Sequence, residues 1–353
     1  MEAEMTGVVG PAMAALPPHL RLLLLTDGKR ISQVIHVLAE LKVADELADG
    51  PRTVADLAKV TSTDTDALRR VLRVAASFGV FAEEPDGRYV LTPVAEALRT
   101  EVLNSQRDLV LFNGDEMLWR SYGELMYTLR TGRPAFDKVY GRSFFAHLAA
   151  EPAAGRLFDR AMTQMSRATS ELFINQYDFS RFTTLVDIGG GTGLFLTKLL
   201  RENPTLRGVL FDRPAVVANA HRWFDDAGVT DRATVLGGDF FGELPPGHDA
   251  YVLKAVLHDW HDPDAVRILR QVHQAMAGRP DSRLLICEFL VAPANQWDRG
   301  KLLDLDMLLR FGGRERNLDE WRVLLAEVGF RLLNEPVTGR WAVLECQAVT
   351  DAD

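Results

Sequence analysis

The feature that most constrains the fold is the stretch 185–194, in which an apolar run ending in an acid passes directly into a glycine cluster. The apolar run is typical of a buried strand, and the leucines beyond the glycines recur with helical spacing. Glycine allows a sharp turn and lets a ligand approach the backbone, while the start of a helix offers unpaired N–H groups. The stretch predicts a strand, a tight turn and a helix, which together open a nucleotide-binding βα unit.

The spacing of these glycines does not fit the dinucleotide fingerprint, which needs a third glycine three residues after the second. Leu194 or Leu196 stands at that place, depending on which glycine is counted first. The pattern present is an acid followed by glycines at alternate positions, namely Asp187, Gly189, Gly191 and Gly193. It resembles the first motif of S-adenosylmethionine-dependent methyltransferases. The alternative is a structural glycine turn in some other α/β protein.

The next two strand ends carry residues suited to the rest of a nucleoside. Asp212 follows an apolar run about 20 residues beyond the glycines, where a carboxylate meets ribose hydroxyls in such folds. After a third run, Asp239 offers an acceptor for an adenine amino group, and Phe240 or Phe241 offers an apolar face for stacking. The alternatives are a polar strand end at Asp212 and a turn aspartate beside core phenylalanines.

Length and composition narrow the class of protein. The 353 residues are too many for one ordinary core, so we expect two domains. The net charge of −9 argues against nucleic acid as the main partner. The only cysteines, Cys287 and Cys346, are too few for a disulfide framework or a cysteine-rich zinc site, and they favour a reducing cytoplasm. No apolar run suits a membrane span, and no basic leader predicts secretion.

The N-terminal part predicts a series of helices behind a loose arm at 1–18. Apolar residues recur at steps of three and four over 20–47, which is typical of an amphipathic helix. Thr53 begins a sequence typical of a capping box, and a short helix follows it. A third helix is predicted with Thr65 or Asp66 as its cap.

Two apolar runs around a Pro-Asp-Gly turn at 85–87 predict a hairpin behind these helices. Three helices and a hairpin form the order of a winged helix, a unit that often binds DNA. Arg69, Arg70 and Arg73 lie on the outward side of the third predicted helix. They suit a DNA-binding face. The alternative is a solvated basic face on a dimerisation domain.

Residues 101–180 are predicted to be helical and to connect the two halves. The helical pattern is broken by Gly-Arg-Pro at 132–134, and an apolar series then runs through Phe158, Met162 and Met165. Such a stripe is usually part of a core. Methionines and aromatics on helices also suit a flat apolar substrate, so the series is a candidate lining of an acceptor site.

A fourth apolar run, 250–253, leads into a loop that carries His258. The helix beyond it is predicted to have Asp262 as its N-cap and Pro263 at its first position. His258 thus lies at the carboxyl end of a strand, where open α/β sheets bind ligands. A phenol has a pKa near 10, so little phenolate exists at neutral pH. A neutral histidine can remove the phenol proton as the oxygen attacks a methyl group, and such a base increases the rate by about 10²–10⁴. A metal site that includes His261 and the neighbouring aspartates is the alternative.

Two glutamates are candidates for holding this histidine. Glu288 follows an apolar strand run, and Glu315 lies in a Gly-Gly-Arg-Glu-Arg sequence just before a helix that starts near Leu318. A carboxylate on the far ring nitrogen would fix the tautomer of the imidazole and stabilise the imidazolium that forms on proton transfer. For Glu315, a surface ion pair with Arg314 or Arg316 is the alternative.

Two final apolar runs predict an antiparallel edge hairpin, and the complete order resembles the small-molecule O-methyltransferase family. That family includes caffeic acid, hydroxyindole and bacterial polyketide-tailoring enzymes, and the resemblance covers nearly the whole chain. Its motifs lie at 187–193, 211–214, 238–241, 257–260 and 312–316. The fold class implied is α/β, with a Rossmann-like class I methyltransferase domain at 181–353, a winged-helix dimerisation domain at 1–100 and a helical connector at 101–180. The catalytic domain would have a mostly parallel sheet with an antiparallel C-terminal hairpin.

The resemblance implies an enzyme that methylates a hydroxyl of an aromatic small molecule with S-adenosylmethionine, yields S-adenosylhomocysteine and uses no metal. His258 would be the general base, with Glu288 and Glu315 as its helpers. The residues predicted to bind the cofactor are Asp187, Gly189, Gly191, Gly193, Asp212, Arg213, Gly238, Asp239, Phe240, Phe241, Lys254 and Ser166. The residues predicted to line the acceptor site are Phe158, Met162, Met165, Asp259, Trp260 and Met307.

The family is usually a homodimer with intertwined N-terminal helices, so we expect a homodimer without nucleic-acid or membrane partners. Asn317 stands where the family usually has Thr or Ser, and we expect little effect. Some bacterial relatives bind the cofactor but hydroxylate or decarboxylate instead, and these commonly lack the histidine. That altered chemistry and a winged-helix DNA-binding regulator are the alternatives left open.

Overall fold

The computed structural model describes residues 16–218 and 220–349, and these form two compact units. The three-part division predicted at residues 100 and 180 stays a prediction. The first unit consists of the described residues up to Arg120 with Leu148–Gln164, and the second of Ser121–His147 with the described residues from Met165 onward.

Helices dominate the first unit, together with one small antiparallel sheet. The strands β1 (Arg52–Thr53), β2 (Phe81–Glu83) and β3 (Arg88–Leu91) lie in the order β1-β3-β2, and β2 and β3 form the predicted hairpin. The arm predicted for 1–18 falls largely outside the described residues. The helices are α1 (Pro18–Thr26), α2 (Gly28–Glu40), α3 (Val43–Glu46), α4 (Val54–Thr61), α5 (Thr65–Ser77), α6 (Pro93–Glu96) and α7 (Arg107–Gly114).

Helix caps in this unit follow the sequence to within one residue. The cap predicted at Thr53 is confirmed, because its hydroxyl accepts a hydrogen bond of 3.2 Å from the N–H three residues on. The prediction of Thr65 or Asp66 as the cap of α5 is wrong. Asp64 caps that helix, and its carboxylate accepts from the N–H three residues on at 2.8 Å. All three side chains are chemically able to cap, and the backbone entry into the helix decides which one does.

The core of the first unit is built from one face of each helix and from the hairpin. Leu38, Leu57, Leu72 and Tyr89 are almost entirely buried in it. On α5 the predicted outward face is confirmed, since the three arginines there, Arg69, Arg70 and Arg73, are all exposed. The helical period therefore separates a buried apolar stripe from a solvated basic one.

A series of helices continues the chain towards the main sheet. Gly132 has a left-handed backbone and ends α9, which confirms the predicted break at 132–134. Residues 152–164 of the long helix α12 belong to the first unit, and residues 165–176 belong to the second. The helices are α8 (Glu116–Gly123), α9 (Leu125–Thr131), α10 (Ala135–Tyr140), α11 (Phe144–Ala150) and α12 (Pro152–Gln176).

A seven-stranded sheet in the order β6-β5-β4-β7-β8-β10-β9 forms the centre of the second unit. Its first five strands are parallel, whereas β10 runs antiparallel to both β8 and β9, as predicted for the C-terminal hairpin. The elements are β4 (Thr184–Ile188), α13 (Leu194–Glu202), β5 (Arg207–Asp212), α14 (Pro214–Val217), α15 (His221–Ala227), β6 (Ala233–Gly237), β7 (Ala250–Lys254), α16 (Asp262–Ala275), β8 (Arg283–Leu290), α17 (Gly300–Arg310), α18 (Leu318–Glu327), β9 (Phe330–Leu332) and β10 (Arg340–Ala348).

Side chains of the central strands alternate between two cores. Along β7, Ala250 and Val252 join one apolar cluster, and Tyr251 and Leu253 join the other. This two-residue period follows from the pleat of a strand with helices on both faces. The strand order reverses between β4 and β7, so the carboxyl ends of these two strands flank the crevice in which open α/β sheets bind ligands.

One segment that the sequence predicts as a single helix is divided. The segment 20–47 forms α1, α2 and α3. The left-handed φ of 55° at Lys42, which a continuous helix does not permit, separates α2 from α3. The predicted α/β class, with a helical N-terminal part, is confirmed. None of the described helices combines the length and the apolar character that crossing a bilayer requires.

Candidate active site

The turn after β4 has the backbone that its glycines predict. Gly189, Gly191 and Gly193 have φ values of 68°, 62° and 87°, in the left-handed region that favours glycine. A Cβ on Gly189 would lie 2.8 Å from Val256 Cγ2, whereas a Cβ on Gly191 would meet no atom within 4 Å. The turn is therefore tight on one side and open over Gly191, where a ligand can lie directly against the backbone.

Asp212, at the end of β5, is tied to this turn. One of its carboxylate oxygens accepts a hydrogen bond from the Gly191 N–H at 2.9 Å, and the other accepts from the Arg213 N–H at 2.6 Å. The Asp212 carbonyl accepts from the Gly238 N–H at 2.9 Å. The carboxylate is half-buried and keeps lone pairs for hydroxyl donors, and its contact with a ribose stays a prediction. Arg213 itself is exposed, with its guanidinium carbon 5.9 Å from the centre of the Phe145 ring.

An aromatic cluster lies beside the glycine turn. Phe241 and Trp260 meet edge to face with ring centres 4.8 Å apart, and Phe240 lies 5.9 Å from Trp260. An edge atom of Phe240 comes 3.7 Å from where a Cβ on Gly189 would be. Asp239 is exposed, and its carboxylate accepts from the Phe241 N–H at 2.9 Å. An apolar ring face and a carboxylate thus lie together, as predicted for an adenine site, whose assignment stays a prediction.

Asp187 is fully buried, and neither of its carboxylate oxygens has a hydrogen-bond partner among the described residues. Burial raises the pKa of Asp187 to about 7, although the charge of Lys254 opposes the rise. Burial lowers the pKa of Lys254, against the charge of Asp187, and its Nζ donates to Ser166 Oγ at 3.2 Å. Unpartnered buried oxygens next to an open backbone turn mark a place where a ligand completes the hydrogen bonding.

His258 lies in a 3₁₀ turn, Leu257–Asp259, directly after β7, and its side chain is only 7% exposed. Its Nδ1 lies 2.7 Å from Glu315 Oε1, a hydrogen bond that joins residues 57 positions apart. The Glu315 side chain is 1% exposed, so the alternative of a surface ion pair with a neighbouring arginine is wrong. A buried carboxylate on Nδ1 leaves Nε2 as the ring atom that can exchange a proton with a ligand. Asp259 Oδ1 lies 3.6 Å from Nε2.

Glu288 contacts both the backbone of this turn and the imidazole ring of His258. It lies within β8, where the sequence places it at a strand end, and it is completely buried. Its Oε1 accepts hydrogen bonds from the N–H groups of residues 256–258 at 3.0, 2.9 and 3.3 Å. The left-handed φ of 52° at Ala255 turns these successive groups towards one oxygen. Its other oxygen, Oε2, lies 3.6 Å from His258 Nδ1.

The carboxylates around His258 decide its charge. Burial alone would lower the pKa of this imidazole, but the negative charges of Glu288, Glu315 and Asp259 overcome that effect and raise it to about 10. Burial raises the pKa of each glutamate, and the His258 charge opposes the rise. The neighbouring carboxylates therefore favour the imidazolium form of His258, whereas the sequence predicts a neutral ring.

The loop 312–316 packs directly against the turn that carries the histidine. The Arg314 N–H donates to the His258 carbonyl at 2.9 Å, and a Cβ on Gly313 would overlap that carbonyl oxygen. From α17, the Asp304 carboxylate accepts from the Glu315 N–H at 2.8 Å. Only a residue without a side chain lets the two segments approach this closely, and the approach brings Glu315 onto the ring.

The prediction of Asp262 as the N-cap of α16 is wrong. The helix begins at Asp262 itself, and His261 is the N-cap without a side-chain hydrogen bond. The Asp262 carboxylate instead contacts Arg316 at 2.8 Å and Arg314 at 3.2 Å, because the loop 312–316 brings both arginines to it. Asn317 caps α18 in a full capping box, so a residue other than the family's usual Thr or Ser performs the capping.

The histidines of this region do not form the alternative metal site. His261 is exposed, and its Nδ1 lies 3.3 Å from Asp264 Oδ2. Among the described residues, His258, Glu288 and Glu315 do form a cluster with ligand atoms within 4.8 Å of one another. Two ligand atoms on one tetrahedral zinc, each about 2.0–2.1 Å from the metal, lie about 3.3 Å apart. The 2.7 Å between His258 Nδ1 and Glu315 Oε1 is shorter than that and has the length of a charge-assisted hydrogen bond.

The residues predicted to line the acceptor site are divided between the two units. Met307 on α17 is buried and Met165 on α12 is half-buried, and both belong to the unit that contains His258. Phe158 and Met162 belong to the first unit, where Phe158 packs edge-on against Phe112 with ring centres 5.7 Å apart. Their role in substrate binding stays a prediction.

Sequence reasoning missed three residues that shape this site. They are Asp304, which holds the Glu315 backbone, Gly313, which permits the close approach, and Arg316, which is buried against the turn. The adjacent glycines before the alternating charges at 314–316 were a signal for close packing. Nothing local in the sequence indicates that Arg316 is buried.

Comparison with known proteins identifies the protein families that the chain matches. The O-methyltransferase domain matches residues 122–331, and the O-methyltransferase dimerisation domain matches residues 23–101. The chain is 40% identical to 8-amino-8-demethylriboflavin N,N-dimethyltransferase of Streptomyces davaonensis, over 90% of this chain and 92% of that protein. It is 39% identical to phenazine O-methyltransferase PhzM of Lysobacter antibioticus, with coverage of 90% and 92%.

The fold is shared with solved structures of the same family. One is an O-methyltransferase from neocarzinostatin biosynthesis in complex with S-adenosylmethionine and 2-hydroxy-5-methyl naphthoic acid. It is 35% identical, covers 90% of this chain and 96% of its own, and superposes with a TM-score of 0.75. A further relative, 35% identical over 90% of this chain and 87% of its own, is aclacinomycin 10-hydroxylase RdmB of Streptomyces purpurascens.

Proposed function

This chain belongs to the family of S-adenosylmethionine-dependent O-methyltransferases, and we propose that it methylates a hydroxyl group of an aromatic small molecule, with His258 as general base. The observation that carries the proposal is the buried hydrogen bond from His258 Nδ1 to Glu315 at the same sheet edge as the open glycine turn. Together these two features support a proton acceptor beside a nucleoside site, the combination that transfer to a hydroxyl needs.

The cofactor of this family is S-adenosylmethionine, and no metal cofactor is part of it. The residues that would hold it are the turn 189–193, Asp212 at the ribose hydroxyls, and Asp239 with Phe240 at the adenine. The open backbone over Gly191 and the free lone pairs of Asp212 fit such a group. When bound, it supplies a methyl group that its sulfonium already activates, so the protein mainly aligns the reacting atoms.

The chain's own contribution to the chemistry is to hold and move one proton. The neutral form of His258, which the neighbouring carboxylates make the minor form at neutral pH, takes the proton of the acceptor hydroxyl on Nε2. A base is needed because a phenol with a pKa near 10 is hardly ionised at neutral pH. Glu315 keeps Nδ1–H in place and stabilises the imidazolium that forms. Glu288 keeps the turn itself in position through its backbone hydrogen bonds.

The acceptor is a planar aromatic molecule of the secondary-metabolite type. The related proteins act on a phenazine and on a riboflavin derivative, and a naphthoic acid is bound in the neocarzinostatin enzyme. Met165, Met307, Trp260 and Asp259 lie in the same unit as the base and offer soft apolar and polar contacts to such a ring. Phe158 and Met162 lie in the first unit, and their contact with the substrate stays a prediction.

An aromatic amine is a second candidate acceptor, because the relative at 40% identity is an N,N-dimethyltransferase. A hydroxylase is the third, because RdmB is 35% identical over most of both chains. His258 favours the first function over the second, since an amine attacks through a free lone pair and requires no base. It favours the first over the third because relatives with the altered chemistry commonly lack this histidine.

The assembly that we propose is a cytoplasmic homodimer formed through the dimerisation domain at 23–101. Four leucines of α1 are exposed in the single chain, which a partner subunit would cover: Leu20, Leu22, Leu23 and Leu25. The exposed arginines of α5 lie in the same domain, so we assign that basic face to solvent rather than to DNA. Salt-dependent binding of a specific duplex at nanomolar protein would overturn this assignment.

The experiment that tests the function is a product assay with S-adenosylmethionine carrying a deuterated methyl group and a panel of phenols and matched anilines. We expect a labelled methyl group on a phenolic oxygen, located by mass spectrometry and NMR. Labelled nitrogen in preference to oxygen would replace the first candidate by the second. A gain of oxygen or a loss of carbon dioxide without the label would support the altered chemistry.

A further inference from the structure

Arg316 is a charged side chain that the proposed mechanism does not use, yet it is almost entirely buried. Its side chain is 1% exposed, and its guanidinium lies 5.1 Å from the centre of the Trp321 ring. A buried guanidinium is costly unless its hydrogen bonds are satisfied, so its partners indicate why it is there.

The partners of Arg316 are the two carbonyl groups that flank the histidine turn. Its Nη1 donates to the Leu257 carbonyl at 3.1 Å, and its Nη2 donates to the Trp260 carbonyl at 2.9 Å. Its Nε and Nη2 also donate to Asp262 Oδ1, at 3.1 and 2.8 Å. One planar group therefore joins the start of the turn, its end and the first residue of α16.

We propose that Arg316 is the residue that positions the general base, by holding the carbonyl groups on both sides of His258 while Glu288 holds the N–H groups. This inference rests on the proposed role of His258. Arg316 does not touch substrate, cofactor or the reacting atoms in this assignment. It acts on the base through the backbone of the turn.

Glu288 and Arg316 bind opposite kinds of backbone group in the turn that carries His258. Glu288 Oε1 accepts from three successive N–H groups of the turn, whereas Arg316 donates to carbonyl groups of the same turn. The positive charge of Arg316 also favours the ionised form of Glu288. With both in place, the turn has hydrogen bonds on each edge and the ring of His258 keeps one orientation between Glu315 and Asp259.

A lysine cannot replace this guanidinium. The five donors of arginine lie in one plane and reach the two carbonyls and the carboxylate at the same time. An ammonium is a point charge with tetrahedral donors, so it would keep the charge and lose the geometry. Arg316→Lys therefore separates the positioning role from simple neutralisation of Asp262.

The test compares Arg316→Lys and Arg316→Gln with two other arginine variants in the full-length protein. Arg314→Gln removes a neighbouring guanidinium that contacts Asp262 and Glu320 but no carbonyl of the turn. Arg322→Gln removes an exposed guanidinium that pairs with Asp319 and Glu335, and it serves as the unaffected control.

We expect both Arg316 variants to lower kcat by about tenfold to a hundredfold, the size of loss that a small displacement of a catalytic group produces. Their affinity for S-adenosylhomocysteine, measured by calorimetry, should stay within about threefold of the parent value. Their pH profile of kcat should also move, since His258 no longer keeps its distances to the carboxylates. Arg314→Gln should lose less, and Arg322→Gln should match the parent.

A variant that fails to fold is recognised by its melting curve and by loss of S-adenosylhomocysteine binding. In that case Gly313→Ala provides the second route, because its Cβ displaces the His258 carbonyl without removing a charge. It should show the same loss of kcat and the same altered pH profile. Parent kcat and parent pH profile in folded Arg316→Lys and Arg316→Gln would overturn the proposal. Parent activity in His258→Ala would instead overturn the proposed role of His258 as the base, and a product without the labelled methyl group would overturn the proposed function.

Discussion

The cofactor turn and the catalytic turn lie at the same edge of one sheet, but they are built in different ways. The cofactor turn takes its shape from three glycines within five residues, each with a positive φ. The catalytic turn depends on partners 30 and 57 residues away, Glu288 and Glu315. A short motif is thus enough to specify a place for the nucleoside, whereas the state of the base depends on contacts between distant segments.

The cofactor turn and the catalytic turn also differ in the number of charged groups that surround them. Near the glycine turn, one buried carboxylate, Asp187, faces one half-buried cation, Lys254. Around His258 there are three carboxylates, and their combined charge makes the imidazole a stronger base than an ordinary histidine. We therefore expect changes at the first region to alter cofactor affinity, and changes at the second to alter turnover and its pH dependence.

The largest effect should come from His258→Ala. We expect kcat to fall by about 10²–10⁴, because a general base contributes that much, while S-adenosylhomocysteine affinity stays close to the parent value. Calorimetry and initial rates on the same preparation check both halves. If S-adenosylhomocysteine affinity and kcat fell together, the catalytic turn would also contribute to cofactor binding, and the two regions would not have separate roles.

Glu315→Gln should lower kcat by about 10- to 100-fold, since the amide keeps the shape but no longer stabilises the imidazolium. The rate of the parent enzyme should rise with pH towards the alkaline range, because His258, with a pKa of about 10, must lose its proton to act as a base. Removal of one carboxylate lowers that pKa, so the rise should move to lower pH in the variant. A pH–rate profile that does not move would contradict the role of Glu315.

Gly189→Ala should weaken cofactor binding by about tenfold. The new Cβ would lie 2.8 Å from Val256 Cγ2, so the turn has to shift, and the backbone that faces the cofactor shifts with it. The left-handed φ itself costs a residue with a side chain about 1–2 kcal/mol of stability. The matched control is Gly228→Ala, at a φ of 66° with no atom within 4 Å of its Cβ. Both variants should lose stability, and only the first should lose affinity. Equal affinity in the two variants would remove Gly189 from the cofactor site.

The smallest effect should be a proton released when the cofactor binds. S-adenosylmethionine carries a sulfonium charge and S-adenosylhomocysteine does not, and a cation near His258 favours loss of the imidazolium proton. Calorimetry in buffers with different ionisation enthalpies should show more protons released by the first ligand, by at most about one. His258→Ala should abolish the difference. Equal release by both ligands would show that the two regions are electrostatically independent.

Much of this architecture can be predicted from the sequence alone. The positions of Asp187 and Asp212 at strand ends follow from apolar runs that stop at an acid, because strand length and burial are local properties. Helix limits were less accurate, as Asp64 and Asp262 illustrate. Both are acids near a helix start, and whether such an acid caps its own helix depends on which other groups reach it.

The sequence by itself determined the class of fold and the kind of ligand, because a glycine turn between a buried strand and a helix has few other uses. Only the tertiary structure decided the charge and orientation of the base. Glu288, Glu315 and Arg316 reach His258 from a strand and a loop that the chain order does not place side by side. Their effect depends on distances of about 3 Å in a buried environment, where a carboxylate or a guanidinium acts strongly only on its immediate neighbours.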